Sequence, residues 1–313
     1  MTLDGSFVWL AGGIVALLAL ASAVGATLRR AVVTPQARAT VQNLNDRIRS
    51  WWIMAAIFAA VLAAGTTATM VLFALISFLA LREFLTLIRT RPGDRVTLFL
   101  SFFVVIPAQY VLIAAGWYGL FAIFIPVYVF LALPVASAVG GDTRQFLARS
   151  AVMQWGLMLA VYAISHAAAL LILVVPGHNA PPAMLLLYLV VVVQLSDVFQ
   201  YVVGKLFGRR PVAPRLSPSK TVEGLIGGGA LAIACGTGLW FVTPFSPLQS
   251  AAMSTVIVVA GFFGSLVLSA IKRDLGVKDW GQMIGGHGGM LDRVDSIAFA
   301  APLFFHVTRY FFT

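Results

Sequence analysis

The sequence consists largely of apolar segments of the length that crosses a lipid bilayer, separated by short polar gaps. A membrane-spanning helix needs about 20 mainly apolar residues. Only 10% of the residues are charged, whereas soluble domains carry about 25%. We therefore predict an all-α, multi-pass membrane protein. The clear candidate spans are 7–27, 97–116, 118–136, 150–175, 184–203, 224–243, 251–271 and 295–311.

Two further spans are expected within residues 51–81. This stretch is too long for one span and is interrupted at Gly65, so it predicts two short helices that turn back on each other and brings the total to about ten. The first apolar run could be a signal peptide, but no Lys or Arg precedes it, whereas Arg29 and Arg30 follow it. A signal peptide has the opposite charge order, so we expect a retained anchor with the N-terminus outside.

The basic residues support this topology. If the ten spans alternate, the inside segments are 28–50, 82–96, 137–149, 204–223 and 272–294, and they hold 20 of the 21 Lys and Arg residues. Such asymmetry is what the positive-inside rule predicts. The net charge of +10 then reflects orientation in the membrane, and no nucleic-acid partner is expected. We expect a multi-pass protein of the inner, cytoplasmic membrane.

The sequence indicates two regions. Residues 1–50 form an anchor helix and a basic cytoplasmic linker, and residues 51–313 form the multi-pass domain. Within the linker, the polar and basic segment 28–50 precedes Trp51 and Trp52. This pattern is typical of a helix that lies on the surface among anionic lipid headgroups. A solvated linker without such a role is an equal alternative.

Acidic and basic residues are concentrated in the last two inside segments and the helix ends beside them. Carboxylates in or near membrane spans are costly, so they are candidate functional groups. Carboxylates hold Mg²⁺, and Lys and Arg neutralise phosphate oxygens, so the mixture predicts a site for a metal-bound phosphate substrate. The acids are Asp197, Glu223, Asp274, Asp279, Asp292 and Asp295, and the basic residues include Lys205, Arg209, Arg210, Arg215, Lys220, Lys272, Arg273, Lys278, His287 and Arg293.

Spacing sharpens this prediction. Asp292 and Asp295 lie three residues apart at the start of the final helix, so they share a helical face. Asp197 is expected within reach of them. The glycine-rich loop 285–289 allows close backbone approach to a ligand, and the helix that follows it should favour an anion at its N-terminus. A second polar loop, 217–221, places Lys220 just before another helix.

The residues 197–295 resemble the phosphatidate cytidylyltransferases, also called CDP-diacylglycerol synthases. The match runs without gaps over 269–295 and is far more specific than an isolated glycine motif. Upstream of this run, the residues that carry the resemblance are Asp197, Tyr201, Gly204, Phe207, Gly208, Ser217, Pro218 and Lys220 to Gly224. Within it they are Ser269, Lys272, Arg273, Lys278, Asp279, His287, Gly288, Gly289, Asp292, Arg293 and Asp295.

The resemblance implies that the phosphate of phosphatidate attacks the α-phosphorus of CTP, giving CDP-diacylglycerol and pyrophosphate with Mg²⁺ as cofactor. It implies metal ligation by Asp197, Asp292 and Asp295. It implies that the nucleotide is contacted by Ser217, Gly288 and Gly289. The expected catalytic residues are Lys220, Lys272, Arg273, Lys278, Asp279, His287 and Arg293. It is also compatible with a homodimer.

One departure from the family pattern concerns the metal. Members usually carry an acid directly after the glycine that begins the signature helix, and here Ser265 follows Gly264. This change keeps two alternatives open: transfer to another lipid phosphate, and a catalytically weakened relative that binds nucleotide or lipid. A transporter is a third alternative, although it predicts acids at the bilayer midplane rather than at one face.

Overall fold

The protein is built almost entirely of helices. A computed structural model describes residues 5–32, 34–177, 181–283 and 288–313. In this part of the chain the helices are α1 Gly5–Ala31, α2 Pro35–Ala64, α3 Thr66–Thr86, α4 Pro92–Ala114, α5 Tyr118–Val139, α6 Phe146–Ile172, α7 Ala183–Phe207, α8 Gly224–Gly238, α9 Pro247–Asp274 and α10 Leu291–Phe312. The strands β1 Pro211–Ala213 and β2 Ser217–Thr221 form an antiparallel pair between α7 and α8.

The helices agree with the predicted membrane spans. Eight of them, α1 to α7 and α9, are long and apolar enough to cross a bilayer. Helix α8 is shorter, and α10 begins with the charged signature residues. Each predicted span falls on one of the ten helices, which confirms a polytopic helical membrane protein.

The break predicted in residues 51–81 is present at a single glycine. Gly65 ends α2 and precedes α3, and its φ of 106° is accessible mainly to glycine. The prediction of two short helices is wrong, because α2 has 30 residues and α3 has 21. Helix α2 starts already at Pro35, where the Thr34 side chain accepts a hydrogen bond from the Ala37 amide and so caps the helix.

The early start of α2 corrects the interpretation of residues 28–50. Residues 35–50 are helical and continue without interruption into the second span, and the alternative, that they are simply solvated, stays a prediction. They are not a separate surface helix. Asn45 Nδ2 donates to the Gly25 carbonyl at 3.3 Å and Trp52 Nε1 donates to Ser22 Oγ at 3.0 Å, so α1 and α2 form a hydrogen-bonded hairpin.

The core lies in the second half of the bundle. In the most apolar stretch of α6, 78% of the residues are buried, and the share is 56% in α7 and in α9. The corresponding share is only 11% in α1 and 6% in α2, so this hairpin is peripheral. Helix α10 packs along α9 and contacts α7, so that its first turns, with the signature residues, lie near the C-terminal end of α9.

Glycines allow α8 to approach α7 closely at the level of the predicted site. An added Cβ at Gly228 would come within 2.5 Å of the Gln200 Cα, and one at Gly224 within 2.7 Å of the Gln200 carbonyl oxygen. Any side chain at either position would force the helices apart. This contact fixes α7, which carries Asp197, against the segment that follows Lys220.

Candidate active site

A small β-hairpin positions Lys220. Its base is held by Glu223, whose carboxylate accepts hydrogen bonds from the backbone amides of Arg209 at 3.0 Å and Arg210 at 3.1 Å. These two hydrogen bonds lower the pKa of Glu223, because they favour its ionised form. Thr221 Oγ1 accepts from the Gly224 amide at 3.1 Å. Glu223 thus organises the hairpin rather than acting only on the dipole of α8.

Lys220 points from the hairpin into the bundle. Its ammonium group donates to Ser265 Oγ on α9 and lies 5.0 Å from the centre of the Phe262 ring. Burial lowers the pKa of Lys220, and the negative charges of Asp197 and Asp295 oppose that effect. The serine that departs from the family pattern is therefore a direct partner of the predicted catalytic lysine.

Asp197 and Asp295 come together beside Lys220, as predicted. Ser296 Oγ donates to Asp197 Oδ1 at 3.0 Å, and the Ser296 backbone amide donates to Asp295 Oδ1 at 2.7 Å. Asp197 interacts electrostatically with Asp295 and with Lys220, and Asp295 interacts with Lys220 as well. The two carboxylates are half-buried, and Arg293 and Lys272 add positive charge to that of Lys220 around them.

This donor set fits Mg²⁺. Magnesium is usually held by one or two carboxylates together with water and substrate phosphates, and Asp197 and Asp295 supply two. Among the described residues, no group of three or more His, Cys, Asp or Glu side chains is arranged to hold a metal ion. A full protein cage is therefore not formed by this part of the chain, and the remaining ligands would come from substrate and water.

Asp292 has a different environment, although it is only three residues from Asp295. Its Oδ1 accepts from Lys272 Nζ at 2.7 Å, in an ion pair whose side chains are 12% and 5% exposed. Its Oδ2 accepts from the backbone amides of Trp280 at 2.8 Å and Gly289 at 2.9 Å. Gly288 has a φ of 79° beside this carboxylate. Asp292 thus holds the signature loop, by which we mean the described residues between α9 and α10, 275–283 and 288–290, and its assignment as a metal ligand stays a prediction.

The remaining predicted residues surround this centre less tightly. Arg273 donates to the Leu216 carbonyl at 3.3 Å and to the Val277 carbonyl at 3.0 Å, which ties α9 to the β-hairpin. Arg293 is close enough to Asp295 and Asp292 for electrostatic interaction. Lys278 and Asp279 are exposed on the loop after α9, and Ser217 begins β2. His287, together with Gly285 and Gly286, lies outside the described residues.

Glu83, at the end of α3, is a site residue that the sequence-based assignment of roles missed. Its carboxylate accepts hydrogen bonds from the backbone amides of Met290 at 2.8 Å and Leu291 at 2.9 Å. An anion does lie at the N-terminus of α10, but it is a side chain of the protein, so the binding of a ligand anion there stays a prediction. An acid at the cytoplasmic end of an apolar helix was a usable signal, whereas its partner more than 200 residues away was not.

Comparisons with known proteins identify the family of the chain. Residues 45–311 match the model of the cytidylyltransferase family. The uncharacterized protein YnbB of Escherichia coli strain K12 is 40% identical over 266 residues, which cover 84% of this chain and 87% of the relative.

Two relatives whose names state an activity match a shorter region. The phosphatidate cytidylyltransferase of Aquifex aeolicus is 40% identical over 112 residues, 36% of this chain and 42% of the relative. That of Bacillus subtilis is 39% identical over 123 residues, 39% of this chain and 46% of the relative. The chain thus matches less than half the length of these two enzymes. The family model, in contrast, spans most of the chain, and the chain belongs to the cytidylyltransferase family.

Proposed function

We propose that the protein transfers the cytidylyl group of CTP to phosphatidate in the cytoplasmic membrane, giving CDP-diacylglycerol and pyrophosphate. The observation that carries this proposal is the half-buried group formed by Asp197, Asp295 and Lys220 where α7, α10 and the β-hairpin meet. Membership of the cytidylyltransferase family supports the nucleotide. The phosphatidate cytidylyltransferases that match 36% and 39% of the chain support phosphatidate as the acceptor.

The residues have distinct tasks in the proposed reaction. A phosphate oxygen of phosphatidate attacks the α-phosphorus of CTP while the bond to the pyrophosphate leaving group breaks, so no covalent intermediate with the protein is needed. Asp197 and Asp295 would hold Mg²⁺, which supplies charge neutralisation for the phosphates. Lys220 and Arg293 provide positive charge beside them, and most of the acceleration comes from positioning and electrostatic stabilisation.

A second acceptor keeps the same chemistry. The acyl chains of a lipid phosphate would meet only apolar helices. The site therefore supports a membrane-borne phosphate as the acceptor, but it does not single out phosphatidate among them. YnbB, which matches most of this chain, has a name that states no substrate. Another lipid phosphate is therefore the alternative acceptor. Loss of catalysis, with retained binding, is the alternative that Ser265 raises.

Product formation tests the proposal. Purified protein in detergent is incubated with labelled CTP, Mg²⁺ and phosphatidate, and the lipid product is separated and identified. CDP-diacylglycerol from the wild type, lost in Asp295→Asn, supports the synthase. Transfer only to a different lipid phosphate contradicts phosphatidate as the acceptor. Transfer by Ser265→Asp but not by the wild type identifies a weakened relative.

A further inference from the structure

Glu83 belongs to the half of the chain that carries no signature motif, yet it contacts the start of the signature helix. The two amides that donate to it, those of Met290 and Leu291, belong to the first turn of a helix, where amides have no partner within the helix. A carboxylate at this position is also favoured by the dipole of α10. Glu83 thus caps α10 from a different helix.

The surrounding glycines show that the loop is shaped to admit this carboxylate. A Cβ at Gly289 would collide with Glu83 Oε2, and a Cβ at Gly281 would lie 3.0 Å from Glu83 Oε1. Gly281 lies in the first part of the loop, and Gly289 lies at its end, next to α10. A side chain at Gly289 would displace the Glu83 carboxylate from its present position, and the fit at Gly281 is close.

The neighbour of Glu83 holds the other end of the same loop. Phe84 stacks on Trp280, with ring centres 5.4 Å apart and an angle of 29° between the ring planes. Trp280 is buried, and its backbone amide donates to Asp292 Oδ2. Two consecutive residues of α3 therefore fix both the beginning of the loop and its end at α10.

We propose that Glu83 is a positioning residue for nucleotidyl transfer: by capping α10 it fixes the rotation and height of the helix that carries Arg293 and Asp295. This inference rests on the proposed function. Asp295 meets Asp197 through Ser296, on the next position of the same helix. A shift of α10 along its axis would separate this carboxylate pair. Since Glu83 occupies the amides of Met290 and Leu291, substrate phosphate binds elsewhere, beside Lys220.

The variant Glu83→Gln tests this role because it preserves size. The amide side chain retains one oxygen acceptor but presents an NH₂ group to the second backbone amide, so that amide loses its partner. We expect kcat to fall about tenfold or more while the KM for CTP stays within about twofold, since one half-buried charge-assisted hydrogen bond is lost. Hydrogen exchange of the amides in 288–296, measured by mass spectrometry in detergent, should become faster.

Asp94→Asn is the matched control. Asp94 is a buried carboxylate that, like Glu83, accepts a backbone amide, that of Arg91 at 2.8 Å, and it pairs with Arg149 at 2.9 Å. It stands in a separate cluster with Ser137 and Gln154. The control should lower thermal stability, but kcat and exchange in 288–296 should remain those of the wild type.

Three results would overturn the inference. The first is wild-type kcat and exchange in Glu83→Gln. The second is an equal loss of kcat in Asp94→Asn, which would indicate general destabilisation. The third is tighter binding of CTP by Glu83→Gln, which would mean that the carboxylate competes with substrate for α10. If the wild type transfers no nucleotide, the proposed function fails alone, and unchanged exchange in Glu83→Gln would still refute the cap.

Discussion

The ion pair between Lys272 and Asp292 holds the signature loop, and its contribution to the free energy of unfolding can be measured by substitution. The substitution Asp292→Asn removes the negative charge and leaves the ammonium group of Lys272, which is 12% exposed, without its closest partner. The asparagine side chain retains one oxygen, which can accept either from Lys272 or from the backbone amides of Trp280 and Gly289. It cannot serve all three donors as the carboxylate does.

The expected cost follows from burial. Removal of one partner from a buried ion pair destabilises a protein by about 3–5 kcal/mol. Lys272 also interacts electrostatically with Asp295, which retains part of its stabilisation, so we expect the lower end, about 3 kcal/mol. Lys272→Met should cost less, about 1.5–3 kcal/mol, because Asp292 keeps its two backbone donors.

The assay is a double-mutant cycle. Unfolding is followed by tryptophan fluorescence in mixed micelles of increasing SDS content for the wild type, both single variants and Asp292→Asn with Lys272→Met. The double variant should cost about 2 kcal/mol less than the sum of the single costs, because no charge is then left buried and unpaired.

Two results would refute this reasoning. Additive costs would show that the pair contributes no coupling. A stable Asp292→Asn variant that needs far more Mg²⁺ for half-maximal activity would show that Asp292 binds metal rather than the loop.

Three further predictions concern the remaining site. Because burial places the pKa of Lys220 below that of an ordinary lysine, activity should fall with rising pH as this ammonium group loses its proton, and Lys220→Arg should move that fall to higher pH in a pH–rate profile. Ser265→Asp adds a carboxylate beside Lys220 and should lower the Mg²⁺ concentration that half-saturates binding, measured by Mn²⁺ competition in electron paramagnetic resonance. Gly228→Ala should destabilise the protein by about 1–3 kcal/mol through overpacking against α7, whereas Gly238→Ala, with no atom within 4 Å of the added Cβ, should leave the thermal transition unchanged.

Three features of the fold could be predicted from local sequence. The apolar segments predicted the helices, and Gly65 predicted the break between α2 and α3. The placement of Lys and Arg predicted which helix ends face the cytoplasm. Each depends on the transfer free energy of one segment or the charge of one loop. The continuation of α2 through residues 35–50 was less visible, because a polar helix outside the bilayer lacks the apolar signal of a span.

The candidate site divides in the same way. The motif in 197–295 identified Asp197, Asp295 and Lys220 as candidates. Only the tertiary structure distinguished Asp295, which lies beside Asp197, from Asp292, which holds the signature loop. The contact of Glu83 with the amides of α10 could be found only in three dimensions. Hydrophobicity selects which segments enter the membrane, but lipid is as apolar as the helices, so the rotation and pairing of helices depend on glycine approaches and buried hydrogen bonds between residues far apart in sequence.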